Sequence, residues 1–349
     1  MIIDCHAHLI APDGLYAHRA NLIANGGYHF GQPKISDDAL AASAAQNVAA
    51  LDEVGTDLQL LSPRPYQQGH SMTPSSLVEP WIAAHNDTIA RTVAMHPDRF
   101  AGVAGLPVVP GEPVERAFGE LERAVNDLAF VGVLVNPDPY EGTGNAPTLN
   151  ERYWYPLYEK LIELDVPMQI HSAGCYSGRE SYSEHFITEE SIAILSLLRG
   201  EVFERFPSLR VIISHGGGSV PYQIDRWQAE RLLPLLGGGP DSERFEVSLK
   251  RFWFDTVLHN PPSLELLLRT VGPDRVLFGT ERPGSGSAMN PDTGHDFDDL
   301  KPVIDKIDFL GDADRRAIYQ DNARTVFPRL AQRMAGSRPA MQDLIEGGR

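Results

Sequence analysis

Short apolar runs alternate with helix-patterned segments from one end of the chain to the other, and this alternation constrains the fold more than any other feature. Strands joined by helical crossovers run parallel, because each crossover returns the chain to the same edge before the next strand begins. The strand candidates are residues 1–4, 57–61, 100–106, 130–135, 167–170, 210–213, 252–257 and 275–278. Helical spacing of apolar residues marks 37–54, 75–94, 114–128, 153–164, 191–206 and 263–271, and Gly55 supplies a stop for the first of these. Eight strands in this order predict a (β/α)8 barrel of the TIM type with C-terminal flanking helices, in preference to an open sheet.

The chain has 349 residues, a length at which a closed barrel still forms one domain. The expected organisation is a single barrel domain over 1–333 and a loose C-terminal tail over 334–349. Within the barrel domain, an insertion over 9–35 lies above the barrel mouth and closing helices occupy 298–330. Barrel enzymes carry their reactive groups at the C-terminal strand ends, so those positions are the ones to inspect.

The first strand runs into Asp4-Cys5-His6-Ala7-His8. Side chains two apart on an extended chain share a face, so His6 and His8 are able to address one atom. His171 follows the fifth strand and His215 the sixth, ahead of Gly216-Gly217-Gly218. A single histidine in such a place is ordinarily packed or solvated, whereas strand-end histidines repeated around one barrel make a ligand set for a divalent metal. The eighth strand ends in Phe278-Gly279-Thr280-Glu281-Arg282-Pro283, which places an acid where the histidines lack an oxygen ligand or a base.

These motifs resemble the amidohydrolase superfamily, and within it the branch of decarboxylases and hydratases that act on acids from aromatic catabolism. The resemblance runs from Asp4 to Pro283, and Asn322-Ala323-Arg324-Thr325-Val326-Phe327 is similar to the closing helix of that branch. It implies that His6, His8 and His171 bind the metal together with Glu281, that His215 contacts the activated water or the substrate, and that Glu281 also works as the catalytic acid or base. The branch usually carries aspartate at the Glu281 position. Glutamate followed by Pro-Gly-Ser-Gly-Ser resembles its hydratase subgroup, which implies addition of water to the C=C of 4-oxalomesaconate to give 4-carboxy-4-hydroxy-2-oxoadipate. Cys5 and the run Ile170-His171-Ser172-Ala173-Gly174 agree with that subgroup.

No lysine stands near the fourth strand end, which reads Leu134-Val135-Asn136-Pro137, so a carbamylated lysine bridging two ions is not expected and the site should hold one. Zinc is the expected ion for imidazoles and a carboxylate, with manganese or iron as alternatives. A substrate of three carboxylates requires local positive charge. Arg64, at the end of the second strand, and Arg282, beside the acid, are the candidates to supply it. Ser285 and Ser287 are candidate hydrogen-bond donors in the loop that follows. His70, His259 and His295 lie in mouth loops with no spacing that assigns a role, and Cys175 and Tyr176 stand just beyond the fifth strand.

Charge and cysteine content narrow the partners. With 47 acidic against 30 basic residues, the formal charge of −17 disfavours nucleic acid and anionic membrane surfaces. Two cysteines make no disulfide framework, and neither a leader-like start nor a membrane-length apolar run is present, so the expected location is the cytoplasm. The expected partners are a small polycarboxylate and, through the closing helices, a second copy of the chain. The competing readings are a metal-dependent decarboxylase of an aromatic or muconate-type acid, a mononuclear amidohydrolase or lactonase, and a non-catalytic barrel scaffold.

Overall fold

The computed structural model describes residues 1–26 and 31–336. Eight parallel strands follow one another around a single sheet in the order of the sequence. They are β1 (Ile3–His8), β2 (Leu58–Ser62), β3 (Phe100–Gly105), β4 (Gly132–Val135), β5 (Met168–Ile170), β6 (Val211–Ile213), β7 (Trp253–Asp255) and β8 (Val276–Leu277). Backbone bonds from Cys5 N to Phe278 O (2.8 Å) and from Glu281 N to His6 O (2.7 Å) join the last strand to the first and close the barrel. Every predicted strand is present. β1 extends through His8, so the His-x-His pair lies on the strand itself, and the register with β2 shifts between Asp4 and Ala7.

The helices on the way round are α1 (Asp13–Ala24), α2 (Asp37–Val54), α3 (Val78–Met95), α4 (Phe118–Glu122), α5 (Tyr155–Glu163), α6 (Tyr182–Arg199), α7 (Val202–Arg205), α8 (Ile224–Leu232), α9 (Phe245–Leu249) and α10 (Pro261–Val271). Local chemistry sets their ends. Ser36 caps α2 by accepting from Ala39 N, and Gly55 stops it in the left-handed region at φ 71°. The helix predicted to begin at 191 starts earlier, at a reciprocal capping pair of Ser181 and Glu184, and it is this early turn that carries groups to the site. The 9–35 connection contains α1, whose Leu15 and Leu22 pack with Ile35, Leu77 and Trp81; its residues 27–30 lie outside those described. The polar helix α8 has no buried side chain, which is why apolar periodicity did not reveal it.

Two apolar layers hold the barrel. Val133, Ile170, Ile213, Phe254 and Val276 on the strands pack with Ile89, Leu121, Leu157, Ile194 and Leu264 of the surrounding helices. Leu60, Val103, Leu134, Ile212 and Leu277 make a second cluster with Val326, Phe327 and Leu330 of the closing segment. Each such side chain, fully buried, contributes roughly 1.5–3 kcal/mol. A Cβ on Gly132, the first residue of β4, would stand 2.8 Å from the Phe327 ring, so the closing segment seals the end where the strands begin. The opposite end remains for chemistry. The closing segment is a short helix over Lys301–Asp305 and a longer helical run from Asp312 to Val326, followed by a turn of helix over Pro328–Met334. The predicted tail lies, from residue 337 on, outside the described residues.

A candidate metal centre at the barrel mouth

Four imidazoles and one carboxylate meet where the strands end. The rings of His6 and His8 from β1, His171 after β5 and His215 after β6 lie edge to face, with centroids 4.8–5.4 Å apart for each neighbouring pair. Donor atoms of His6, His171, His215 and Glu281 all lie within 4.8 Å of one another. His8 Nε2 stands 3.6 Å from Glu281 Oε1, and His215 Nε2 stands 3.9 Å from Oε2 of the same carboxylate. The sequence reading put His8 among the ligands and His215 against the water or substrate; the close donor set contains His215 in place of His8, which stands at its edge beside Glu281.

The partners of the ring nitrogens fix which lone pairs are free. His6 Nδ1 lies 2.6 Å from Asp255 Oδ2, and an ionised carboxylate only accepts, so Nδ1 carries the proton. His8 Nδ1 meets Ser62 Oγ at 2.8 Å, and that hydroxyl spends its own hydrogen on the Ala7 or Pro63 carbonyl. His171 Nδ1 donates to Ser172 O at 2.7 Å. In all three rings Nε2 is thus bare, and each of these nitrogens is buried without a hydrogen-bond partner. Three buried lone pairs facing one carboxylate are costly on their own, and they suit a divalent cation.

His215 differs. Its Nδ1 faces both oxygens of the fully buried Glu190, at 2.8 and 3.0 Å, and its ring stacks on Phe186. Burial opposes a charge on His215, yet Glu190 and Glu281 together hold its imidazolium well above the ordinary histidine range. Burial, with smaller contributions from His6 and Arg64, lowers His8 to about 4 against the pull of Glu281, and burial reinforced by the neighbouring histidines lowers His171 well below its usual value. Burial works against ionisation of Glu281 too, but His215 and His8 keep its carboxyl well below the usual carboxylate range. Both His215 (φ 48°) and Glu281 (φ 59°) occupy the left-handed backbone region, a strain that local structure must sustain at these two functional positions.

Asp255 and Glu190 were not singled out from the sequence. Asp255 ends β7, where an acid in Phe-Trp-Phe-Asp is itself a signal, and its Oδ1 also accepts from Gly216 N and Val257 N. Glu190 sits on the buried face of α6 and offers no such cue. Asp4 ties the mouth together by accepting from His6 N, Gln59 Nε2 and both Thr280 donors. Between β1 and β8 there is no room to spare, since a Cβ on Gly279 would lie 2.9 Å from the Cβ of His6 and 3.1 Å from that of Asp255.

The arginines divide. Arg64 donates to Pro283 O at 3.1 Å, and among the described residues no carboxylate lies within 4.0 Å of it. Arg282, expected to meet a substrate carboxylate, is instead consumed by the chain: it pairs with Asp298, with Asp296 at 3.0 Å and with Glu53 at 2.5 Å. Ser287 likewise turns inward to Asp298, because the loop after β8 folds back on that buried acid. Ser285 keeps its place beside the site, donating to Glu281 Oε2 at 3.2 Å. His259 bonds Phe297 O, His295 pairs with Asp299, and His70 is buried against Val108 O. At the end of β4, Asn136 is occupied by its own turn with Asp138.

The amidohydrolase family model matches residues 3–329. The chain is 38% identical over 338 residues to 2-keto-4-carboxy-3-hexenedioate hydratase of Sphingobium sp., covering 95% of this chain and 97% of that one. It is 31% identical to the gamma-resorcylate decarboxylase of Rhizobium sp., over 69% of this chain and 74% of that one. Among solved structures, 4-oxalomesaconate hydratase of Rhodopseudomonas palustris superposes with a TM-score of 0.84 at 33% identity, covering 97% and 98% of the two chains. No described helix is long and apolar enough to cross a membrane.

Proposed function

The chain belongs to the amidohydrolase family, and we propose that it is a metal-dependent hydro-lyase that adds water to the C=C of 4-oxalomesaconate, giving 4-carboxy-4-hydroxy-2-oxoadipate in aromatic catabolism. What carries this reading is likeness to two hydratases along nearly the whole chain, coupled to a glutamate at the end of β8 that four imidazoles surround. His6, His8, His171 and Glu281 are the residues that would hold the ion, supported by the three bare, buried Nε2 atoms. Zinc is our assignment for this donor set, and manganese or iron is the alternative that metal analysis would reveal. A divalent cation there lowers the pKa of water toward neutrality and withdraws charge from the reacting conjugated system.

The chain's own groups do the rest. Glu281 Oε2, between Ser285 and His215, receives the proton that water gives up as its oxygen bonds to C4. The C3=C4 electron pair moves into an enolate of the 2-keto group, and return of that proton to C3 completes the addition. His215, held by Glu190, presents Nε2 toward the same carboxylate and stabilises negative charge that develops on the substrate. Among the described residues no carboxylate pairs with Arg64, and we assign it to one substrate carboxylate. We place the reaction in the cytoplasm, in keeping with two free cysteines.

The test is to incubate the purified protein and its metal with the unsaturated tricarboxylate and follow it by NMR. The expected result is loss of the vinyl signal and appearance of the tertiary alcohol. Release of carbon dioxide without a hydrated product would replace this reading with the decarboxylase one.

A further inference from the structure

Behind the mouth, on the flank between the loop after β4 and helix α6, a cavity of about 540 Å³ is lined by Asp138, Glu180, His185 and Glu189 among others. His185 is 1% exposed and sits between two acids: its Nδ1 lies 3.1 Å from Glu180 Oε1, its Nε2 3.3 Å from Asp138 Oδ2. The first contact is a hydrogen bond, so Nδ1 carries the proton. The second is not aligned as one, and Nε2 is left buried with no hydrogen-bond partner. A bare nitrogen lone pair pointed at carboxylates repels them unless a cation stands between. Donor atoms of Asp138, His185 and Glu189 all lie within 4.8 Å of one another, a separation that one ion spans with small side-chain movements. On the Nδ1 side, Cys175 points its thiol toward Glu180 Oε1 at 3.8 Å, and Cys175, Glu180 and His185 make a second such triple.

We propose that Asp138, His185 and Glu189 form a second divalent-cation site, separate from the mouth centre and suited to zinc or manganese by its imidazole and carboxylate donors. The alternative occupant of Nε2 is a proton, which would leave His185 as an imidazolium among acids. Burial opposes that charge, yet Asp138 and Glu180 raise His185 to about 9, so a cation entering here displaces a proton. An ion in this place ties the loop after β4 to α6. That helix carries Phe186, packed on the His171 and His215 rings, and Glu190, bonded to His215 Nδ1. The second site thereby braces the helix that orients His215.

The experiment counts metal. The full chain is stripped with chelator, dialysed against Zn²⁺ or Mn²⁺, and its bound metal measured beside those of Glu189→Gln, His185→Gln and His171→Ala. The expected result is two equivalents in the parent, one in each of the first two variants through loss of the flank ion, and one in His171→Ala through loss of the mouth ion. A thermal melt on each variant confirms that it folds. A single equivalent in the parent that both Glu189→Gln and His185→Gln retain, or two retained in both, overturns the proposal in favour of a protonated His185. A parent with two equivalents whose His171→Ala variant also keeps two would fault the mouth centre while leaving the flank site standing.

Discussion

Replacing Asp255 by asparagine changes one atom at the back of the site, and its effect follows from hydrogen-bond direction. Asp255 Oδ1 accepts from Gly216 N and Val257 N, both at 3.1 Å, while Oδ2 accepts from His6 Nδ1 at 2.6 Å. An asparagine can keep its carbonyl oxygen toward the two backbone donors, which turns its NH2 toward His6. Flipping it instead would aim the NH2 at two N–H groups and forfeit both bonds, at roughly 1–3 kcal/mol for each donor left buried and unpaired. The favoured arrangement therefore makes His6 Nδ1 an acceptor and moves the ring proton to Nε2, the nitrogen that would face the ion. Loss of such a supporting carboxylate costs about 10- to 100-fold in metal affinity, equivalent to about 1.4–2.7 kcal/mol. Competition with a chromophoric chelator measures it, and activity at saturating metal shows whether chemistry falls as well. An Asp255→Asn protein that folds normally and binds metal within about twofold of the parent would refute the claim that this acid sets the His6 tautomer.

Glu281→Asp withdraws the carboxylate by one methylene from His8, His215 and Ser285; some metal should remain while kcat falls by on the order of a hundredfold, read by metal analysis beside steady-state rates. Arg64→Ala should raise KM for the tricarboxylate at little cost in melting temperature, since among the described residues Arg64 pairs with no acid. Arg282→Ala should do the reverse, destabilising the fold by about 3–5 kcal/mol because it strands the fully buried Asp298, and a denaturant titration separates the two. His85, which burial lowers to about 4, stays neutral in the folded chain while the unfolded chain takes up a proton near the ordinary value of 6.5. The unfolded state thus binds more protons between these values. Stability is fully present above about pH 6.5 and falls by up to about 3 kcal/mol as pH drops toward 4. His85→Leu should flatten that part of the pH–stability curve, and an unchanged curve would show that His85 titrates alike in both states.

The strand ends were legible because each strand is a brief β-branched or apolar run bounded by polar residues, and the order of such runs admits little but a barrel. His6 and His8 follow from the twofold repeat of an extended chain, while His171, His215 and Glu281 follow from their position one step past a strand. Those are local properties, and local sequence contains them. Which nitrogen of each histidine is bare, and what any charged group is paired with, depends on elements that meet only when the barrel closes. Asp255 reaches His6 across 249 positions and Glu190 reaches His215 across 25. Arg282 looked like a free cation beside the acid until the loop after β8 brought Asp296 and Asp298 back onto it. Charges act through space and hydrogen bonds through direction, so the candidate ligands could be read along the chain, but which of their nitrogens are bare, what supports them and which arginine lacks an acidic partner among the described residues were decided by the tertiary structure.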